Sequence, residues 1–128
     1  MRRDMDLIRL IVLQLEKDHE RPNDLLSFED FETDLVIDGY TPAQVEYHLQ
    51  LAINSNIFEI PRNAGGLYII SGLTPKGHDF ADSVRDEKIW AMTREGALKA
   101  GGFTLELLGD LAKGFAKKQL EKHTGVEI

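Results

Sequence analysis

Gly39-Tyr40-Thr41-Pro42-Ala43-Gln44-Val45 is the stretch on which the fold turns. Thr41 at the N-cap and Gln44 three residues later make a capping box, since each side chain can answer the other's free backbone N–H. Pro42 takes the first helical position, where its missing N–H costs nothing, and Tyr40 is placed to pack on Val45 as a hydrophobic staple. A helix therefore starts at Thr41. Val45, Leu49, Ala52 and Ile53 give it one buried face, which leaves Gln44, Tyr47, His48, Gln50, Leu51 and Asn54 nearer the outside. Ser55-Asn56 ends it.

Downstream, Ile57-Phe58-Glu59-Ile60 and Leu67-Tyr68-Ile69-Ile70 are β-favouring runs on either side of Pro61-Arg62-Asn63-Ala64-Gly65-Gly66. They predict a hairpin, with the glycines supplying the positive φ of a tight return. Leu73-Thr74-Pro75 repeats the Thr-Pro helix opening, and His78 is expected to pack on Leu73 in place of the usual staple. Phe80, Ala81 and Val84 continue a buried face. Ile89, Trp90 and Met92 extend that helix or restart it, and Gly96 with Ala100-Gly101-Gly102 predicts a break. A last helix from Thr104 to about His123 carries Leu105, Leu108, Leu111, Ala112, Phe115, Ala116 and Leu120, with lysines toward its C-terminal half, where they suit the helix dipole.

Upstream, Met5, Ile8, Ile11, Val12 and Leu15 follow helical spacing from Asp4, a candidate N-cap, to about Asp18. Leu7, Leu10 and Leu13 widen that stripe. His19-Glu20-Arg21-Pro22-Asn23-Asp24 is a polar break. Residues 25–38 fit strand and helix patterns both, with extended structure expected at Leu35-Val36-Ile37 and a turn at Asp38-Gly39.

The 128 residues suit one domain with a helical extension, and 42% hydrophobic with 29% charged residues is the composition of a globular chain. No cysteine excludes disulfides, thiolate metal sites and a cysteine nucleophile, and fits a reducing compartment. No export signal is legible at Met1-Arg2-Arg3, and no apolar run approaches membrane-spanning length. A cytoplasmic protein without membrane contact is expected. The net charge is −7, and its distribution tells more than the sum. Between Pro22 and Pro61 there is no Lys or Arg, while Asp24, Glu29, Asp30, Glu32, Asp34, Asp38, Glu46 and Glu59 fall inside. Phosphate binding draws on clustered cations, so this region is ill suited to it.

The order helix, strand, helix, hairpin, helix resembles winged-helix domains, in which the helix before the hairpin lies in the DNA major groove and the wing touches backbone. Residues 25–38 depart from that pattern, for they supply no clear supporting helix. Finer motifs are Arg3-Asp4-Met5-Asp6-Leu7-Ile8-Arg9, Gly39-Tyr40-Thr41 leading into Val45-Glu46-Tyr47-His48-Leu49, and Gly72-Leu73-Thr74-Pro75-Lys76-Gly77-His78-Asp79-Phe80 with Arg85-Asp86 and Ile89-Trp90 after it. These resemble a bacterial and phage-associated family, domain of unknown function 2513, and cover most of residues 2 to 90. The resemblance implies a fold and a cytoplasmic setting, and brings no activity or functional residue with it.

The expected architecture is thus α+β: a winged-helix-like domain over residues 1–90 and a C-terminal helical extension over 91–128. As a DNA reader, it would turn Gln44, Tyr47, His48, Gln50 and Asn54 to base edges, since Gln and Asn pair bidentately with adenine. Arg62 at the wing base, Asn63 at its tip and Lys76 would meet backbone. His78-Asp79, His48 with Glu46, and His19-Glu20 are the pairs that invite metal or acid–base chemistry, yet no H-E-x-x-H, G-x-S-x-G or P-loop spacing is present. No catalytic residue, metal or cofactor is expected. The leading expectation is a non-enzymatic protein-interaction or regulatory adaptor, and the alternative is a DNA-binding transcriptional regulator. The wide apolar stripes of the first and last helices let the last helix fold back onto the first or pair with a second copy of the chain, and the resemblance to winged-helix regulators, which dimerise through terminal helices, implies a homodimer.

Overall fold

A computed structural model describes residues 1–64, 66–99 and 104–125, and of residues 62–64 the backbone alone. The chain is α+β and forms two compact units, Met1–His78 and Asp79–Ile128.

The first unit opens with α1, Met5–Asp18. Asp4 caps it by accepting the Leu7 N–H at 3.2 Å, which satisfies one of the free donors of the first turn. The stripe read from the sequence is buried: Leu7, Ile8, Ile11, Val12 and Leu15 are all in the core, against α2, Pro42–Asn54. At the start of α2 the capping box is formed in both directions. The Gln44 N–H donates to Thr41 Oγ1 at 3.2 Å, and the Thr41 N–H donates to Gln44 Oε1 at 2.9 Å. The helix ends at Ser55, and Asn56 turns the chain with φ 63°.

Between α1 and α2 the strand is β1, Leu26–Phe28. Residues 35–37, expected to be extended, lie in no sheet. Leu35 and Ile37 point into the core with Val36 exposed between them, so burial alternates without a partner ladder. The preceding turn is tied instead by side chains. Asp34 Oδ2 accepts the N–H of Glu29 and of Asp30, each at 3.0 Å, and those bonds, Glu29's first, hold its carboxyl below the ordinary value of 3.8. The Asp38-Gly39 turn forms as expected: Tyr40 N–H reaches Ile37 O at 3.2 Å, and Gly39 takes φ 86°, which a side chain would resist.

The hairpin differs from the one expected. β2, Phe58–Glu59, pairs with β5, Gly72–Leu73, whereas β3, Arg62–Ala64, pairs with β4, Leu67–Ile70. Phe58 stands opposite Leu73 and Arg62 opposite Ile69, so both ladders share one register, advancing four residues on each side. Arg62-Asn63-Ala64, expected as loop, is strand. Ala64 stands opposite Leu67. The ladder is interrupted near Pro61, which has no N–H to give, and Ser71 N–H bonds Glu59 O at 2.9 Å beside the gap. β1 completes a three-stranded sheet in the order β1-β4-β3, with Phe28 opposite Tyr68. Tyr68 and Ile70 point into the core.

Helix α3, Pro75–Val84, starts against the end of α2. Thr74 N–H donates to Ile57 O at 2.9 Å, and Thr74 Oγ1 donates to Asn56 O at 2.6 Å while accepting the Gly77 N–H at 2.9 Å. His78 is exposed, not packed in as a staple. Gly77 takes the close position: a Cβ there would overlap the Ile57 carbonyl and stand 3.0 Å from Leu73 Cδ2.

In the second unit, α4, Glu87–Lys99, starts afresh because Asp86 accepts the Ile89 N–H at 2.9 Å. It runs through Gly96, where a break was expected. Gly96 lies against α5, Leu105–Thr124, near Leu111 and Phe115, and that packing outweighs the roughly 1 kcal/mol by which glycine disfavours a helix. Ala100, Gly101 and Gly102 fall outside the described residues. Thr104 caps α5 through the Leu107 N–H at 2.9 Å, and Gly125, φ 71°, closes it. Trp90 is buried with Ala97, Leu108 and Ala112. Among the described residues, no helix is long and apolar enough to cross a membrane.

Candidate binding face of the second helix

Helix α2 carries every residue expected to read a partner from the helix, and each position can be followed outward from the backbone. Gln44 is held by the capping box, so its amide oxygen is already spent on the Thr41 N–H. His48, one turn on, is buried rather than outward, at 1% exposure. Its Nε2 accepts the backbone N–H of Asp4 at 2.8 Å, so its ring proton sits on Nδ1 and donates to Gln44 O at 2.7 Å. The imidazole therefore joins the start of α1 to the first turn of α2. Helical spacing placed His48 nearer the outside; the polar groups awaiting it on Asp4 and Gln44 bring it inward.

Two tyrosines complete this frame. Tyr40 Oη donates to Asp4 Oδ2 at 3.0 Å, and burial first, then that bond and the charges of Asp4 and Asp6, push its phenol up to about 12. Tyr68 Oη donates to Glu46 Oε2 at 3.3 Å, tying β4 to α2, and its phenol is likewise raised, by burial and then by the Glu46 charge. Glu46 thus serves the fold as a half-buried acceptor.

What α2 leaves outward is a narrower stripe. Gln50 and Asn54 are exposed, Tyr47 is half-buried with its ring edge on His48, and Ala43 is exposed at the same helical spacing. Ala43, Tyr47, Gln50 and Asn54 recur at i, i+4, i+7 and i+11, one line along the helix. Ala43 was missed because it carries no functional group, although its spacing from Tyr47 marks it. The stripe holds one phenol and two carboxamides and no charge. Lys76 is exposed in the first turn of α3. Arg62 and Asn63 lie on β3, and their side chains are outside the described residues.

The histidine–acid pairs resolve into structural or exposed positions. His19 Nε2 lies 3.2 Å from Asp24 O, with its ring against Gly72. Among the described residues no group of three or more His, Cys, Asp or Glu could hold a metal ion. No curated protein and no solved structure matches the chain. A family model described as "Hypothetical protein (DUF2513)" matches residues 2–103, and with most of its length accounted for in this way, the chain belongs to the DUF2513 family.

Proposed function

We propose that the chain is a non-enzymatic binding module of winged-helix-like build, a cytoplasmic adaptor or regulatory protein that offers the outer stripe of α2 to a protein partner. The observation that carries this reading is the chemistry of that stripe. Tyr47, Gln50 and Asn54 form a neutral aromatic and carboxamide line, in a segment from Pro22 to Pro61 that has no Lys or Arg. Tyrosine with small polar side chains suits adaptable protein contacts. Groups that base reading would need, the Gln44 amide oxygen and the His48 ring, are bonded within the fold. A hairpin flanked by β1 on the β4 side supports the winged scaffold. Phage association rests on the family resemblance alone.

A DNA-binding regulator is the second reading, favoured by one observation: Gln50 and Asn54 are exposed one turn apart, and such amides can pair with adenine. The two separate in a titration of mixed-sequence duplex at low and physiological salt. The adaptor reading predicts no saturable binding at micromolar protein. Tight binding whose affinity falls steeply with salt would favour the regulator.

A further inference from the structure

We propose that α5 pairs with α5 of a second copy of the chain, antiparallel about a two-fold axis. Glu106, Asp110, Lys113 and Lys117 are all exposed and recur at i, i+4, i+7 and i+11, one line along the outer side of the helix. The line is polarised, with two acids in its N-terminal half and two lysines in its C-terminal half. None of the four makes an ion pair with another described residue. Within one chain Glu106 with Asp110 and Lys113 with Lys117 are like charges at i,i+4 spacing, set against the opposite-charge neighbours Asp110 with Lys113 at i,i+3 and Lys117 with Glu121 at i,i+4, so the chain alone gives the polarised line no clear gain. The helix dipole explains only the ends, because its effect fades within the first and last turns, and Asp110 and Lys113 sit near the middle of the 20 residues.

A second copy running the opposite way supplies the missing complement. Reversal sets Glu106 and Asp110 of one helix beside Lys117 and Lys113 of the other, and two-fold symmetry repeats both pairs. The adjoining line is apolar and low. Ala116 is exposed, Leu120 is 49% exposed, and a Cβ at Gly109 would meet nothing within 4 Å. Gly109 and Ala116 let two helix backbones approach, and Leu120 gives the contact apolar area. A parallel pair would instead set acid on acid and lysine on lysine, so the charge order selects the antiparallel one.

Sedimentation equilibrium on the full chain, with two charge-reversed variants, tests this. The wild type should reach twice the chain mass, less readily at high salt. Glu106→Lys with Asp110→Lys, and separately Lys113→Glu with Lys117→Glu, should each weaken self-association by roughly tenfold or more. An equimolar mixture of the two variants should regain dimer mass as a heterodimer. All four positions are exposed, and circular dichroism establishes that the variants fold; Leu120→Gln, which leaves every charge in place, should also weaken the dimer. A wild type that stays monomeric at every concentration, variants that associate as well as the wild type, or a mixture that stays monomeric would each overturn the proposal.

Discussion

His48 Nε2 accepts the backbone N–H of Asp4 at 2.8 Å, across 44 residues of chain, while Nδ1–H holds Gln44 O at 2.7 Å. Both bonds form only if the ring proton is on Nδ1. Nitrogen-detected NMR of the imidazole should show that tautomer, and an Nε2–H signal would contradict the arrangement. His48→Ala leaves the Asp4 N–H without its acceptor, removes the second bond to Gln44 O and opens a cavity, at a cost of about 3 kcal/mol in denaturant unfolding.

Gly77 is required by contact and not by backbone angle. A Cβ would overlap the Ile57 carbonyl, which is itself pinned by the Thr74 N–H at 2.9 Å and cannot move aside alone. Gly77→Ala should destabilise the fold by about 3 kcal/mol or more, at the upper end of overpacking effects. Gly114→Ala, in α5 with open space around it, should instead gain about 0.5–1 kcal/mol from helix propensity. Equal effects at the two glycines, read by thermal unfolding, would refute the distinction.

Tyr40 makes stability depend on alkaline pH. Its phenol is raised from 10.0 to about 12 in the fold, so the folded state holds the proton more tightly than the unfolded chain. The contribution is complete below pH 10 and is lost as pH rises toward 12. Tyr68, raised for similar reasons, acts in the same direction. Tyr40→Phe should flatten the decline in unfolding free energy across that range. An unchanged profile would show that burial and the Asp4 bond do not raise the Tyr40 phenol in the fold.

Trp90, the single tryptophan, is 4% exposed in the second unit. Its fluorescence should therefore shift strongly to the red on unfolding and report that unit. Trp90→Ala should cost about 3–5 kcal/mol. A small spectral change would mean that the ring is already in water.

The legible parts of the fold were those determined within a few residues. Thr41 and Gln44 are three apart and their capping box forms as read; Asp4, Thr74 and Thr104 likewise cap α1, α3 and α5. The errors lie where a distant residue decides. The apolar runs before Pro61 and after Gly66 suggested the wrong pairing, because hydrophobicity marks strands but the close return between Ala64 and Leu67 and the missing proline N–H set which residues oppose each other. Gly96 reads as a helix breaker until α5 packs against it. In the candidate face, Gln50 and Asn54 are exposed as helical spacing predicts, whereas His48 turns inward toward a backbone group that no local pattern announces.

Whether the outer stripe of α2 meets a protein partner is read by affinity purification from the native host with a matched variant. Gln50→Ala with Asn54→Ala changes two exposed side chains, each expected to alter stability by no more than about 0.5 kcal/mol, so folding is preserved. The wild-type chain should retain a discrete protein partner that survives nuclease treatment and is lost from the double variant. Retention of the same partner by the variant, or recovery of nucleic acid in place of protein, would contradict it.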